Sequence, residues 1–132
     1  KHIALISPCL YPLDSCFLNP NSVFGKDIVK GFNDAKTRET GYVVVGAKGF
    51  RFGFKMIEEC KAFNPDSLLK SCNNIKLFSG KNDVILNTEY NVDFCKKHNI
   101  GNTWYNASHS LFEEIDKVNN DIIKFLCDKK GV

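Results

Sequence analysis

Several classes of protein are excluded by what this 132-residue sequence lacks. It has no apolar run of the roughly 20 residues that a membrane-spanning helix needs, and no segment with the pattern of a secretory signal peptide. Its lysines are scattered and its net charge is only +3, so no basic stripe indicates nucleic-acid binding. We therefore expect no transmembrane segment and no nucleic-acid partner, while peripheral contact with a membrane stays compatible with the composition.

The sequence also lacks the motifs of metal and nucleotide sites. Its three histidines and six cysteines show neither zinc-ligand spacing nor a CxxC pair. The segment GAKGFRFG (46–53) has no Lys-Ser ending and no G-x-G-x-x-G spacing. We therefore expect no metal and no organic cofactor. The cysteines are expected to be thiols, as in a reducing, cytoplasmic compartment.

The composition is that of one folded domain with alternating strands and helices. Hydrophobic residues make up 43% of the chain and charged residues 25%, the balance of a globular protein. The order of apolar runs and helical periodicities predicts a parallel sheet with right-handed crossovers. Predicted strands are 2–7, 74–80 and 101–107, and predicted helices are 25–38, 54–63, 88–98 and a last helix from Ser110. Residues 9–23 are predicted to be loop, and residues 42–54 are ambiguous between strand and turn.

The last helix has the strongest pattern in the sequence. Ser110 followed by Glu113 is a capping-box pattern, which predicts that the helix begins at Ser110. Apolar residues then recur at helical spacing and predict one wide buried stripe. The stripe consists of Leu111, Phe112, Ile115, Val118, Ile122, Phe125 and Leu126.

Two ionisable residues follow the last two predicted strands. Asp83 lies in the loop after residues 74–80, and His109 lies in the loop after residues 101–107. In a parallel sheet both loops lie at the carboxyl edge, so we expect the two side chains to be close. A carboxylate that accepts the imidazole N–H fixes the tautomer of a general base. The alternative interpretation is that Asp83 caps a turn and His109 is a surface residue.

These residues carry a family resemblance. The segments IKLFSGKNDVI and NASHSLFEEIDKVNNDIIKFL resemble the end of a lysophospholipase or monoacylglycerol-lipase-like α/β-hydrolase. That family typically shows an apolar strand, G-x-x-D with a following valine, and H-x-x-x-x-E leading into the last helix. Gly80, Asp83 and Val84 match the first element, and His109 and Glu114 match the second. More weakly, HIALISPCLYP resembles the strand after the family's nucleophile, and VVGAKGFRFGFKMIEEC resembles its cap segment.

The resemblance implies a partial α/β-hydrolase fold of about three parallel strands with flanking helices and a small helical cap. Residues 1–12 would hold a core strand, 13–70 a cap-like insertion, and 71–132 the core elements with the acid and base. Asp83 would be the triad acid, His109 the general base and Glu114 a supporting residue behind them. In a cap, an aromatic cluster with one methionine could line an acyl-chain entrance, although plain packing is the alternative. The cluster is Phe50, Phe52, Phe54 and Met56.

The sequence departs from the family at the nucleophile, because no G-x-S-x-G elbow occurs in it. Ser7 and Cys9 follow a strand in a permissible order, but Pro8 and the lack of glycines fit a nucleophile turn poorly. The first residue is Lys rather than Met, which indicates a processed, trimmed or incomplete chain.

The resemblance therefore implies a serine hydrolase of carboxylic esters, acting on a lipid-like or small ester substrate. Its serine would come from a missing N-terminal half or a partner chain along the sheet edge, so the isolated 132 residues are expected to be inactive. One alternative is a non-enzymatic fragment or degenerate α/β interaction module. The other is a complete small flavodoxin-like binding domain, for which SPCLYP (7–12) is a poor phosphate-binding loop.

Overall fold

The computed structural model describes residues 1–70, 72 and 74–128. The chain divides into two compact units. The first contains residues 1–8, 65–84 and the chain from residue 88 onward, and the second contains residues 9–64 and 85–87. Residues 71, 73 and 129–132 of the predicted core region 71–132 lie outside the described residues. The predicted cap-like insertion 13–70 overlaps the second unit, but its role as a cap stays a prediction.

Five strands and five α-helices are seen in the described residues. In chain order they are β1 (His2–Ile6), α1 (Gly25–Phe32), α2 (Ala35–Thr40), β2 (Tyr42–Val45), β3 (Phe50–Gly53), α3 (Phe54–Glu59), β4 (Asn74–Gly80), α4 (Glu89–His98), β5 (Gly101–Tyr105) and α5 (Ile115–Cys127). A short π-helix occupies Pro12–Phe17, and 3₁₀ turns occupy Cys60–Ala62, Pro65–Lys70 and Phe112–Glu114.

The first unit contains a three-stranded sheet in the order β1–β4–β5, and both pairs of strands are parallel. Apolar β4 lies in the centre, where both of its edges are hydrogen-bonded. Phe78 and Tyr105 face α5 and pack with Val118. Side chains on the other face, including Trp104, lie beside Val92 of α4. The predicted three-stranded parallel sheet with flanking helices is therefore confirmed.

The outer edge of β1 has no strand partner among the residues that the structure describes. An edge strand presents a row of backbone N–H and C=O groups that can pair with a further strand. Ile6, the last residue of β1, is also exposed.

The second unit is built on an antiparallel hairpin of β2 and β3. Residues 46–49 form its turn, in which Gly46 and Gly49 both have a φ near +70°, a conformation that costs glycine little. The hairpin resolves the ambiguous region 42–54 as strand, turn and strand. Its core is a cluster of buried apolar residues from α1, β2 and α3, namely Ile28, Val43, Val45 and Ile57.

The prediction of one helix over 25–38 is wrong. Helix α1 ends at Phe32, and α2 starts again after Asp34, whose carboxylate accepts the Thr37 backbone N–H at 3.1 Å. An aspartate at this position satisfies an amide that has no partner inside the helix, so it begins a new helix rather than continuing the old one. The prediction of plain loop over 9–23 is also wrong, because Pro12–Phe17 is helical.

The predicted start of the last helix needs a correction too. Leu111 has a φ of +59°, which a helix cannot contain, and α5 begins only at Ile115 after a 3₁₀ turn. The Ser110–Glu113 capping box does not form, and Glu113 accepts the backbone N–H of Ser108 instead. The predicted apolar stripe is partly correct, since Val118 is buried while Phe112 is 72% exposed.

Candidate functional site

The structure brings Asp83 and His109 together. The imidazole Nδ1 of His109 lies 2.8 Å from Oδ2 of Asp83. The Asp83 side chain is only 2% exposed, whereas the His109 side chain is 34% exposed. Because an ionised carboxylate can only accept, a neutral imidazole in this contact has its proton on Nδ1 and its lone pair on Nε2. The acid is therefore enclosed, and the imidazole has a solvent-facing part.

Parallel pairing explains why the two residues meet. Gly80 is in register with Tyr105 at the ends of β4 and β5, so the two following loops leave the same edge of the sheet. Backbone hydrogen bonds continue beyond the strands, from Lys81 N–H to the Tyr105 carbonyl at 2.9 Å and from Asn82 N–H to the Ala107 carbonyl at 3.1 Å. We call the loop after β4, which carries Asp83, the acid loop, and the loop after β5, which carries His109, the base loop. The two loops are thus joined through their backbones as well as through the Asp83–His109 contact.

Gly80 permits this close approach. A β-carbon there would collide with the carbonyl oxygens of Ala107 and Ser108. The base loop therefore packs directly on the backbone of Gly80, and any side chain at residue 80 would displace that loop. The sequence indicates Gly80 only as part of G-x-x-D, because the residues that it accommodates, Ala107 and Ser108, lie 27 and 28 positions later in the chain.

Two carboxylates at the start of the last helix hold the base loop from the other side. Glu114 Oε2 accepts the Asn106 backbone N–H at 3.1 Å, and Glu113 Oε1 accepts the Ser108 N–H at 3.1 Å. Hydrogen bonds from its own backbone N–H and from Ser108 hold the pKa of Glu113 below its usual value. Glu114 is predicted to support the site, and its carboxylate contacts the backbone of the base loop. Glu113 was assigned only to the helix cap, and its contact with this loop was missed.

Ser7 reaches the base loop from the opposite edge of the sheet. Its hydroxyl donates to the backbone carbonyl of His109 at 2.6 Å, and its N–H donates to the Phe78 carbonyl at 2.8 Å. The sequence presented Ser7 only as a weak nucleophile candidate, and no local signal indicated this contact. The other candidate, Cys9, belongs to the second unit, where its Sγ lies 3.6 Å from Ser15 Oγ.

The predicted substrate-binding residues do not form one surface. Phe52 packs against Phe17 and Phe24, with ring centroids 5.7 and 5.6 Å apart, and Phe54 packs against Phe32 at 4.8 Å. Both rings are partly buried and pack against the core of the second unit. Phe50 is 55% exposed at the hairpin turn and Met56 is 40% exposed on α3. Their binding role stays a prediction.

Other chemistry-bearing residues are dispersed. All six cysteines are present as thiols. Within the part of the chain that the structure describes, no group of three or more His, Cys, Asp or Glu side chains is arranged to hold a metal ion. A second histidine–aspartate contact joins His98 Nε2 to Asp66 Oδ1 at 2.9 Å, with Lys97 Nζ also 2.9 Å from the carboxylate. The hydrogen bond from Lys97, which has the larger effect, and the one from His98 hold the pKa of Asp66 below its usual value.

Chemically, the Asp83–His109 arrangement has the geometry that an oriented general base requires. The carboxylate fixes the Nδ1–H tautomer and would stabilise the imidazolium formed when Nε2 takes a proton. Comparisons with protein-family models, with curated proteins and with solved structures find no match for this chain. The residues and their geometry are therefore the basis for any functional inference.

Among the described helices, none is both long and apolar enough to cross a membrane.

Proposed function

We propose that this chain supplies the acid and base of a serine hydrolase that acts on carboxylic esters. The observation that carries the proposal is the 2.8 Å contact between an enclosed Asp83 carboxylate and a partly exposed His109 imidazole. Its location at the carboxyl edge of a parallel sheet adds support, because α/β enzymes collect their catalytic groups there. The chain order of acid before base is also the order of α/β-hydrolases.

In this mechanism His109 Nε2 accepts the proton of a serine hydroxyl as the serine oxygen attacks the ester carbonyl. Asp83 keeps Nδ1 protonated and balances the positive charge of the imidazolium. His109 then gives the proton to the leaving alcohol. In the second half of the cycle it removes a proton from the water that attacks the acyl-enzyme, and it passes that proton to the serine oxygen as the acid product leaves. Neither step needs a metal or an organic cofactor.

The serine is proposed to come from polypeptide outside these 132 residues, carried on a strand that pairs with the outer edge of β1. Two observations support this source. No G-x-S-x-G elbow occurs in the sequence, and β1 has an unpaired outer edge within the described residues. The same polypeptide would contribute the oxyanion hole. A lipid-like acyl group or a small ester are both compatible with the acid and base.

The deciding experiment uses the natural full-length polypeptide that contains this sequence. We expect it to hydrolyse p-nitrophenyl esters and to react with a fluorophosphonate serine probe. Asp83→Asn and His109→Ala should each lower turnover by several orders of magnitude with the fold intact. Asp93→Asn is the matched control, because Asp93 is an exposed carboxylate on α4. Full activity after His109→Ala, or no hydrolysis and no labelling at all, would refute the proposal.

The isolated 132-residue chain tests the source of the serine. We expect it to remain unlabelled by the fluorophosphonate probe. Labelling that disappears in His109→Ala would show that the nucleophile lies within this sequence, and would overturn the second part of the proposal only.

A non-enzymatic interaction module is the alternative function that one observation favours. The unpaired edge of β1, next to exposed Ile6, would accept a strand from a partner chain whether or not any chemistry follows. This function predicts that the natural polypeptide has no esterase activity, and that placing a lysine at the exposed end of β1, as in Ile6→Lys, abolishes association measured by light scattering.

A further inference from the structure

The end of β1 makes an unexpected contact with the base loop. Ser7 is almost fully buried and has a φ of +41°, a conformation that few residues other than glycine adopt. Both of its hydrogen-bond donors are engaged across the sheet edge. Its N–H reaches the end of β4 at Phe78, and its hydroxyl reaches the backbone of His109.

This contact determines how far the base loop extends sideways. The sheet order is β1–β4–β5, and His109 follows β5 at one side while Ser7 follows β1 at the other. The base loop has therefore crossed the central strand β4 by the point where the His109 carbonyl meets the Ser7 hydroxyl. The loop crosses above Gly80, where the absence of a side chain leaves room for it. The His109 backbone is thereby held within hydrogen-bond reach of the residue that follows β1.

The direction of the hydrogen bond matters. A backbone carbonyl can only accept, so the proton of the Ser7 hydroxyl is donated to the His109 carbonyl oxygen. That proton is then not directed at the imidazole, and in this arrangement Ser7 does not behave as the nucleophile of the pair.

We propose that Ser7 is a positioning residue for His109. Its hydroxyl fixes the backbone from which the imidazole reaches Asp83, and so maintains the Nδ1–H tautomer that a general base at Nε2 requires. The catalytic importance of this role rests on the proposed function. The positioning itself is a property of the 132-residue chain and needs neither a substrate nor the nucleophilic serine.

The test is the tautomer ratio of His109 in the 132-residue chain, read from ¹⁵N chemical shifts at a pH where the imidazole is neutral. His109→Ala identifies its signals among those of the three histidines. We expect Ser7→Ala to lower the ratio of Nδ1–H to Nε2–H tautomer by roughly two- to tenfold, the range set by loss of one neutral hydrogen bond. Ser110→Ala, the same substitution at the exposed residue next to His109, should leave the ratio unchanged.

Ser7→Gly separates positioning from a purely structural role. Glycine relieves the positive φ and also removes the hydroxyl, so it should fold at least as well as the alanine variant. We expect the same fall in the tautomer ratio. A ratio equal to that of the natural sequence in Ser7→Gly, with the chain folded, would overturn the proposal.

Failure of the positioning role and failure of the hydrolase proposal are distinguishable. An unchanged tautomer ratio alongside loss of esterase activity in His109→Ala would remove Ser7 from the mechanism and keep the hydrolase. A shifted ratio in a full-length polypeptide without esterase activity would keep the positioning role and refute the hydrolase.

Discussion

Gly80 lies against the backbone of Ser108 so closely that a β-carbon on the glycine would overlap the serine carbonyl. This relationship connects the end of the central strand with the loop that carries His109. The acid loop begins immediately after Gly80, so one residue position affects where both members of the Asp83–His109 pair lie. A site of this kind depends on backbone contact as much as on the side chains that would do chemistry.

Gly80→Ala should therefore destabilise the chain and displace the base loop. We expect a loss of about 1–3 kcal/mol in the free energy of unfolding, the usual cost of forcing extra atoms into a packed region. Urea denaturation would measure it. Gly101→Ala is the control, because a β-carbon there meets only the Lys76 side chain at 3.8 Å or more. Equal stability of the two variants would contradict the close packing at Gly80.

Asp83→Asn should disturb the imidazole without unfolding the chain. An amide can accept from Nδ1 through its oxygen or donate to it through its nitrogen, so neither tautomer of His109 is strongly favoured. We expect the Nδ1–H preference to be largely lost in the ¹⁵N spectrum of the isolated chain. Asp93→Asn should leave that spectrum unchanged. A persistent Nδ1–H tautomer in Asp83→Asn would mean that another group orients the ring.

Asn102→Leu should stabilise the protein. The side-chain amide of Asn102 is buried on the sheet face opposite Tyr105, and neither its oxygen nor its nitrogen has a hydrogen-bond partner within the described residues. Burying such a group costs about 1–3 kcal/mol, which leucine avoids at similar volume. Thermal unfolding should show a higher midpoint. Asn120→Leu, on the exposed side of α5, should change stability by no more than about 0.5 kcal/mol. A destabilised Asn102→Leu would indicate that the amide is satisfied, for instance by a buried water.

Tyr105 should make the protein sensitive to alkali. Burial and the hydrogen bond to Asp121, 3.0 Å from the phenol oxygen, raise the pKa of Tyr105 above its usual value of 10. Below pH 10 the phenol is neutral in both the folded and the unfolded state. As the pH rises beyond 10, the unfolded chain loses this proton while the folded chain retains it, so stability falls.

Tyr105→Phe should remove that component of the pH dependence. At pH 8 we expect it to cost about 1 kcal/mol through the lost hydrogen bond to Asp121. Between pH 10 and 11 its unfolding free energy should decline less steeply than that of the natural sequence, in urea titrations at each pH. Parallel curves would show that the phenol is not retained as the neutral form.

The elements that could be predicted from the sequence are those with a local cause. The apolar run ending at Gly80 was predicted as residues 74–80, and β4 has those bounds. The helix predicted at 88–98 is α4, at Glu89–His98. Parallel order then places the loops of Asp83 and His109 at one edge, which follows from topology alone. Whether the pair is catalytic stays a prediction.

The elements that could not be predicted depend on contacts that the local sequence pattern does not reveal. Leu111 adopts a left-handed conformation in a loop whose amides are held by Glu113 and Glu114, and this delays α5 despite the capping-box pattern at Ser110. Ser7 has a role only because His109 is brought to it across two strands. The Ser7–His109 contact has no signature within the few residues around it, whereas the contacts of Glu113 and Glu114 span five and eight residues and compete with the capping box that the local pattern favours.

The hydrogen bond between Ser7 and His109 joins residues 102 positions apart, and this separation has a consequence for folding. The succession β4, α4, β5 and α5 is contiguous, so its contacts close short loops and can form early. Strand β1 must instead be recruited from beyond an intervening segment, against the entropy of closing a long loop. We expect it to dock late. The base would then acquire its final place only in the last step of folding, and a chain caught before that step would contain the acid and the histidine but no competent pair.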